Sequence, residues 1–377
     1  MQGGSLLRSS HLPTDTMPAH RKGARFAGVI LLSLCIIYLV KLSLPPRRCD
    51  MKDVAPQRIQ RTQAYAKQVL EGQCRPAFVK REMDRLFQER YSMSLASFMR
   101  KSPHLNESSF KYGPPFGFHD YMYHLQELLR LMPAQDLPQA LKAKQCKRCI
   151  VLGSGSILHG LQIGQAVDQF DIVIRLNNAP VKGFEKDVGN KTTIRMTYPE
   201  GAPVSEHEYH HNGLFVAVLF KSADFRWLQA MLKNESLSIW SRMFFWKQVV
   251  ENIPVQSKQF RILNPLIVKE TAIDILQYPE PQNKWWGWEK NIPTLGVTAV
   301  VLATHLCDEV SLAGFGYDLR QPRAPLHYYD DLCMSEMKAQ KMHDVTKETK
   351  LLQKLIKEGV VKDITGGIHC EFCSDAN

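Results

Sequence analysis

Hydrophobic residues fall into two alternating rhythms along most of the chain, and the alternation is clearest from about residue 146 onwards. Short apolar runs at 150–152, 171–176, 193–196, 214–220 and 310–313 read as strands. Among them, apolar residues recur at helical spacing over 223–232, 238–250, 266–276, 297–306 and 345–357. Such alternation predicts an α/β fold, a Rossmann-like and mainly parallel sheet flanked by helices, with ligands at the carboxyl ends of the strands. Upstream, 56–70, 80–99 and 119–131 carry helical spacing, and 106–115 reads as a loop. Met83, Leu86, Phe87 and Tyr91 form a packing face.

One stretch has neither rhythm. Residues 26–44 are almost wholly apolar, follow Arg21, Lys22 and Arg25, and lead to no small-residue cleavage pattern. That length suits a bilayer span, so an uncleaved signal anchor is expected, with a cleaved signal peptide as the competing reading. Lys41, Arg47 and Arg48 on the other flank blunt the charge asymmetry. Glycosylation acceptors at Asn106, Asn190 and Asn234 tip the orientation towards 1–25 as a cytoplasmic tail and a lumenal bulk. Residues 45–113 then form a stem with N-terminal helices, and 114–377 the main domain. Of nine cysteines, Cys35 falls in the span, and the others enter an oxidising compartment where disulfides are expected. Cys146/Cys149 and Cys370/Cys373 also have the gap of a zinc half-site, so a metal is the alternative there.

Within the strand region, 150–152 runs into Gly153, Ser154, Gly155 and Ser156 and then a helical pattern carrying Leu158, Leu161, Ile163 and Val167. Strand, glycine turn and helix together suggest a phosphate held by backbone amides at a helix start. A dinucleotide site is disfavoured on two counts: Leu158 stands where the third glycine belongs, and the next strand carries Arg175 in place of a ribose-binding acid. The net charge of +11 over 377 residues suits an anionic partner. With no dense Lys/Arg run or RNA-binding signature, no nucleic acid is expected.

Three later clusters belong with this turn. Residues 293–318 place Gly296 at the opening of a buried helix and Gly314 and Gly316 after a strand; His327-Tyr328-Tyr329-Asp330 comes next; His343 and Glu348 stand with four residues between them. An imidazole just before a helix is a candidate acid or base near neutral pH, and Glu348 one turn on is placed to orient it. A surface histidine beside a solvated glutamate is the plainer reading of that pair alone.

In this order, the four segments resemble the large, small, third and very small motifs of the eukaryotic sialyltransferases, and the likeness runs from about Gln57 to Gly367. The resemblance implies a GT-A-variant glycosyltransferase fold, a catalytic domain at 114–377 and a single-pass type II protein of the Golgi membrane. Stretches such as GNKTTIRMTYPEGAP and SLAGFGYDLRQPR point within the family to members that sialylate the galactose 3-hydroxyl of lactosylceramide. Family chemistry is an inverting transfer from CMP-sialic acid with no metal or other cofactor, and the chain has no D-x-D pair. By position, His343 becomes the general base, His327 the phosphate contact, and Asn177 a nucleotide contact. Gly153, Ser154, Gly155, Ser156, Gly296 and Gly314 line the donor pocket through their backbones, with Tyr198 a donor-side hydroxyl. At Ile157 and Leu295 the chain departs from many relatives, so only backbone roles carry over there. The family bridge maps onto Cys149 and Cys307, and Cys74 with Cys146 is a further expected pair.

A ceramide-bearing acceptor must offer its sugar while its tail stays in the membrane. Two aromatic segments suit a membrane-facing lip: one with Trp240, Phe244, Phe245 and Trp246, the other with Trp285, Trp286 and Trp288 between lysines. Burial of the same aromatics against the core is the competing reading. Other galactosyl glycolipids or glycoproteins are alternative acceptors. A silent lumenal binding protein is the alternative of another class, opposed by the intact His327, His343 and Glu348. The oligomeric state is open, a homodimer included.

Overall fold

The structure, a computed structural model, describes residues 49–101, 111–133, 137–281, 292–340 and 342–373, with Val29, Leu32, Ser33 and Ile36 as isolated helical positions. The rest of the expected span at 26–44 lies outside the described residues, as do Asn106, Trp285, Trp286 and Trp288. Among the described residues no helix is long and apolar enough to cross a membrane. The chain divides into units at Met1–Arg47 and Arg48–Asn377, and the sheet with its flanking helices belongs to the second.

Among the described residues, seven strands make one sheet: β1 (Arg148–Leu152), β2 (Ile172–Leu176), β3 (Ile194–Thr197), β4 (Leu214–Ala217), β5 (Phe260–Ile262), β6 (Glu309–Ala313) and β7 (Val361–Asp363). Their order is β5-β4-β3-β2-β1-β6-β7. Every pairing is parallel, with Leu152 opposite both Arg175 and Ala313. The sequence pattern missed β5 and β7, since three residues are too few to show a period. The chain moves outward from β1 to β5, then returns to lay β6 on the other side of β1. The order therefore reverses between β1 and β6, where open α/β sheets form their ligand crevice.

Helices cover both faces: α1 (Pro56–Glu71), α2 (Phe78–Phe87), α3 (Met122–Leu131), α4 (Ser222–Lys233), α5 (Leu295–Leu306) and α6 (Val345–Lys357). Helix α5 is largely apolar on every face and buried from Val297 to Leu306, as suits a helix between the sheet and α2. Helix α2 stops at Phe87, short of the expected end, because Gln88 takes a left-handed φ of 50°. Its packing face survives: Met83, Phe87 and Tyr91 are buried, and the Tyr91 hydroxyl donates to Thr304 Oγ1 at 3.1 Å. The helix expected at 238–250 shrinks to Ile239–Arg242, and that at 266–276 begins as α at Pro265–Lys269 and continues as π at Glu270–Ile275.

The described cysteines pair as Cys49–Cys333, Cys74–Cys146, Cys149–Cys307 and Cys370–Cys373. Both suspected zinc half-sites are thereby consumed, since a disulfide sulfur offers no thiolate to a metal. Cys149–Cys307 ties β1 to the end of α5 across a Cα separation of 5.9 Å. Asn190 and Asn234 are exposed.

Candidate active site at the carboxyl edge of the sheet

Topology alone gathers the candidate residues. Gly153, Asn177, Tyr198 and Gly314 each directly follow a strand, at the carboxyl ends of β1, β2, β3 and β6. Helices α5 and α6 each run back before β6 and β7, so their first turns, with Gly296 and with His343 and Glu348, return to the same edge.

At the reversal point, backbones meet without room for side chains. A Cβ on Gly153 would lie 2.4 Å from the Gly314 carbonyl oxygen. A Cβ on Gly314, whose φ is +75°, would lie 2.5 Å from Leu158 Cδ1. The helix expected after the turn does not form. Ser156–Leu158 is a 3-10 turn, Gly160 and Gln162 take positive φ, and only Gly164–Val167 coils again. The amides of Gly153, Gly155 and Ser156 donate to Ala313, Gly314 and Leu326 carbonyls at 2.9, 2.9 and 3.1 Å. Those three amides are therefore committed within the chain, and the glycines serve close approach of two loops. Phe315 seals the junction, with ring atoms within 3.3 Å of a Gly153 Cβ and 3.1 Å of a Gly296 Cβ.

Asn177 ends β2 in a left-handed conformation (φ 50°) and accepts from Thr197 Oγ1 at 3.2 Å through Oδ1. Its Nδ2 has no partner among the described residues and is free to donate. The loop carrying it is fixed from beneath: Arg195 Nη1 donates to the carbonyls of Asn177 and Ala179 at 3.1 and 2.8 Å. From the other side, the Tyr328 hydroxyl donates to the Pro180 carbonyl at 2.5 Å, so Tyr328 is a buried strut of the site. Tyr198 is half-buried with its ring edge-on to Phe220 at 5.6 Å. Burial, aided by Glu200 and Asp224, pushes its phenol up and keeps it a neutral donor.

His327 forms a bridge with Gly155, which sets its half-buried ring beside the turn. Its Nδ1 meets Asp330 Oδ2 at 2.8 Å and the ring stacks flat on Tyr329, centroids 5.1 Å apart. Because a carboxylate only accepts, Nδ1 carries the proton, and Nε2 is left for a ligand.

The His343 ring is half-buried, and its Nδ1 lies 2.8 Å from the Ile292 carbonyl oxygen. A carbonyl also only accepts, so the neutral ring holds its proton on Nδ1 and its lone pair on Nε2, which is the form of a base. Gln340 clamps the backbone, accepting from the His343 amide and donating to its carbonyl, each at 2.9 Å. Burial lowers the imidazole pKa, only partly offset by the bond to Ile292.

Glu348 does not hydrogen-bond to His343. Its carboxylate takes the Thr294 amide at 2.8 Å and the Thr294 hydroxyl at 2.5 Å. Thr294 is the N-cap of α5, with Oγ1 3.3 Å from the Val297 amide. Glu348 therefore holds the start of α5, and Gly296 with it. Burial raises its pKa from about 4.5 to about 7 against those hydrogen bonds. A raised carboxyl pKa stabilises the protonated fold, so this contribution is complete below the unfolded value and is lost as pH climbs through 7. Stability should fall by up to about 1.4 kcal/mol per pH unit in that window from this group alone. Thermal unfolding of Glu348→Gln at several pH values should show a flatter curve than the parent; an unchanged slope would assign the pH dependence elsewhere.

The profile of glycosyltransferase family 29 (sialyltransferase) matches residues 98–360. The chain belongs to that family. The sialyltransferase is 61% identical over 347 residues to lactosylceramide alpha-2,3-sialyltransferase of Homo sapiens, covering 91% of this chain and 83% of that one. It is 40% identical over 298 residues to CMP-N-acetylneuraminate-beta-1,4-galactoside alpha-2,3-sialyltransferase of Homo sapiens, covering 79% and 78%. Among solved structures, a mammalian sialyltransferase in complex with Gal-beta-1-3GalNAc-ortho-nitrophenol superposes with a TM-score of 0.59 at 25% identity, covering 77% of this chain and 98% of that one.

Side chains that the sequence left unassigned also reach this sialyltransferase's edge. Lys221 pairs with the buried Glu200 just beyond β3 and stands 3.6 Å from Asp224, whose carboxyl burial pushes up to about 6. Burial, aided by Glu348, pushes the Tyr317 phenol up, and burial, aided by Asp330, Tyr328 and Tyr317, does the same for Tyr329. Asp330 was legible as part of the HYYD cluster. Thr294 was not, since nothing local marks a threonine as the partner of a glutamate 54 residues on.

Proposed function

We propose that the protein transfers sialic acid from CMP-sialic acid to the 3-hydroxyl of the terminal galactose of lactosylceramide, forming a monosialoganglioside. The observation that carries this reading is the 61% identity, over nine-tenths of the chain, to a relative named for that reaction. His343 Nε2 takes the proton of the galactose hydroxyl as its oxygen bonds to the anomeric carbon. The bond from that carbon to the phosphate oxygen breaks on the opposite face, inverting the centre. His327 acts there as an imidazolium, with Nδ1–H held by Asp330 and Nε2–H donated to the phosphate of the leaving cytidine monophosphate, and no metal is required. Asn177 Nδ2 and the Tyr198 hydroxyl hold the donor, and the closely packed Gly153, Gly155, Gly296 and Gly314 shape the floor of its pocket.

The sequence supports a Golgi type II setting, with 1–25 cytoplasmic, 26–44 spanning, 45–113 as stem and 114–377 as catalytic domain. Four disulfides and the exposed Asn190 and Asn234 suit a lumenal catalytic domain. Incubating the full chain with CMP-sialic acid and a panel of lactosylceramide, other glycolipids and asialoglycoproteins tests the reading. Lactosylceramide should show the highest kcat/KM; a preference for asialoglycoproteins would favour the alternative acceptor class.

A further inference from the structure

The segment after α4 leaves all but one of its aromatics exposed. It makes one helical turn at Ile239–Arg242 and leaves Trp240 77%, Met243 71%, Trp246 70% and Phe244 63% exposed. Water-facing protein surface rarely carries so many large apolar side chains side by side. Cations are set among them: Lys247 Nζ lies 5.3 Å from the Trp246 ring centroid, and Arg226 Cζ 5.6 Å from that of Phe244. Neither cation forms an ion pair among the described residues, so the patch is basic as well as apolar.

One residue of the segment points the other way. Phe245 is buried, and Lys221 Nζ stands 4.9 Å from its ring centroid while pairing with Glu200. Glu200 lies two residues after Tyr198, at the carboxyl end of β3. The exposed patch is therefore joined to the rim of the candidate active site through Phe245 and Lys221.

We propose that Trp240, Met243, Phe244 and Trp246, with Arg226 and Lys247, form a membrane-docking lip that seats in the interfacial layer of a bilayer. Tryptophan and phenylalanine insert among lipid headgroups while lysine and arginine meet their phosphates, so apolar and basic character in one patch fits that layer. Docked there, the lip brings the rim at β3 and β4 to the bilayer surface, where a glycolipid's sugar is presented while its ceramide stays in the membrane. The proposal rests on the reading of lactosylceramide as acceptor and extends it to how the acceptor is reached.

The test uses the full chain in phosphatidylcholine/phosphatidylserine vesicles carrying lactosylceramide, compared with a Trp240→Ser, Phe244→Ser, Trp246→Ser variant. The variant should lose about tenfold or more in kcat/KM for vesicle-borne lactosylceramide and keep its kcat/KM for free lactose, which also proves the fold intact. In the parent, a diazirine-bearing phospholipid should leave adducts on residues 239–246 on irradiation. Equal loss on both acceptors, no loss on either, or no adducts in that segment overturns the proposal. So does a second copy of the chain, rather than lipid, cross-linked to it. A parent that uses free lactose and ignores lactosylceramide would sink the acceptor assignment, and the adducts would still decide the docking.

Discussion

Replacing His343 by Ala is expected to lower kcat by about 10²- to 10⁴-fold, the usual worth of a positioned general base, while leaving the unfolding temperature and the KM for CMP-sialic acid near those of the parent. The ring is a half-buried side chain whose one structural hydrogen bond is to the Ile292 carbonyl, so its removal leaves a single backbone acceptor unpaired. Steady-state kinetics with both substrates varied will check this, and full turnover by His343→Ala would remove the mechanism. A pH profile supplies a second reading. Burial lowers the imidazole pKa, so the neutral, basic form persists below the ordinary histidine value of 6.5. Activity should therefore hold into mild acid and fall only as pH drops through that depressed value. A limb centred above 6.5 would show that another group governs the rate.

How much of this site was legible in the sequence depended on the kind of signal. The runs at 150–152, 171–176 and 310–313 became β1, β2 and β6 because a strand covered on both faces is largely apolar, with Arg175 and Ser311 as buried exceptions, and each carried its candidate residue at its carboxyl end. Conformations set by distant contacts were not legible. Leu158, Leu161, Ile163 and Val167 match a helical period and are all buried, yet Gly160 and Gln162 break the helix, while Asp187 accepts the amides of both at 2.8 Å. Glu348 sits at the right spacing to serve His343, but a tertiary contact turns it to Thr294. The aromatic segment shows a third limit. Periodicity reports that Trp240, Phe244 and Trp246 seek a water-poor neighbour, and it does not say whether that neighbour is the protein's own core or a lipid surface.

The second large effect is expected beneath the donor-contacting loop, at Glu208. Arg195 and Glu208 are each about 3% exposed, and Arg195 Nη2 lies 2.8 Å from Glu208 Oε2. The carboxylate also accepts the Val181 and Lys182 amides at 3.0 and 3.3 Å, while Arg195 Nη1 holds the carbonyls of Asn177 and Ala179. One ion pair thus fixes both ends of the 177–181 loop. Glu208→Ala would leave a guanidinium buried beside unpaired amides, a loss of about 3–5 kcal/mol, visible as a lower unfolding temperature and a weaker grip on CMP-sialic acid. Replacing both partners with apolar residues, Arg195→Met with Glu208→Leu, removes the stranded charge and should recover much of the stability. It cannot restore the donors to Asn177 and Ala179, so the KM for CMP-sialic acid should stay raised even where stability returns. Recovery of both together would mean that the loop holds Asn177 in place without Arg195.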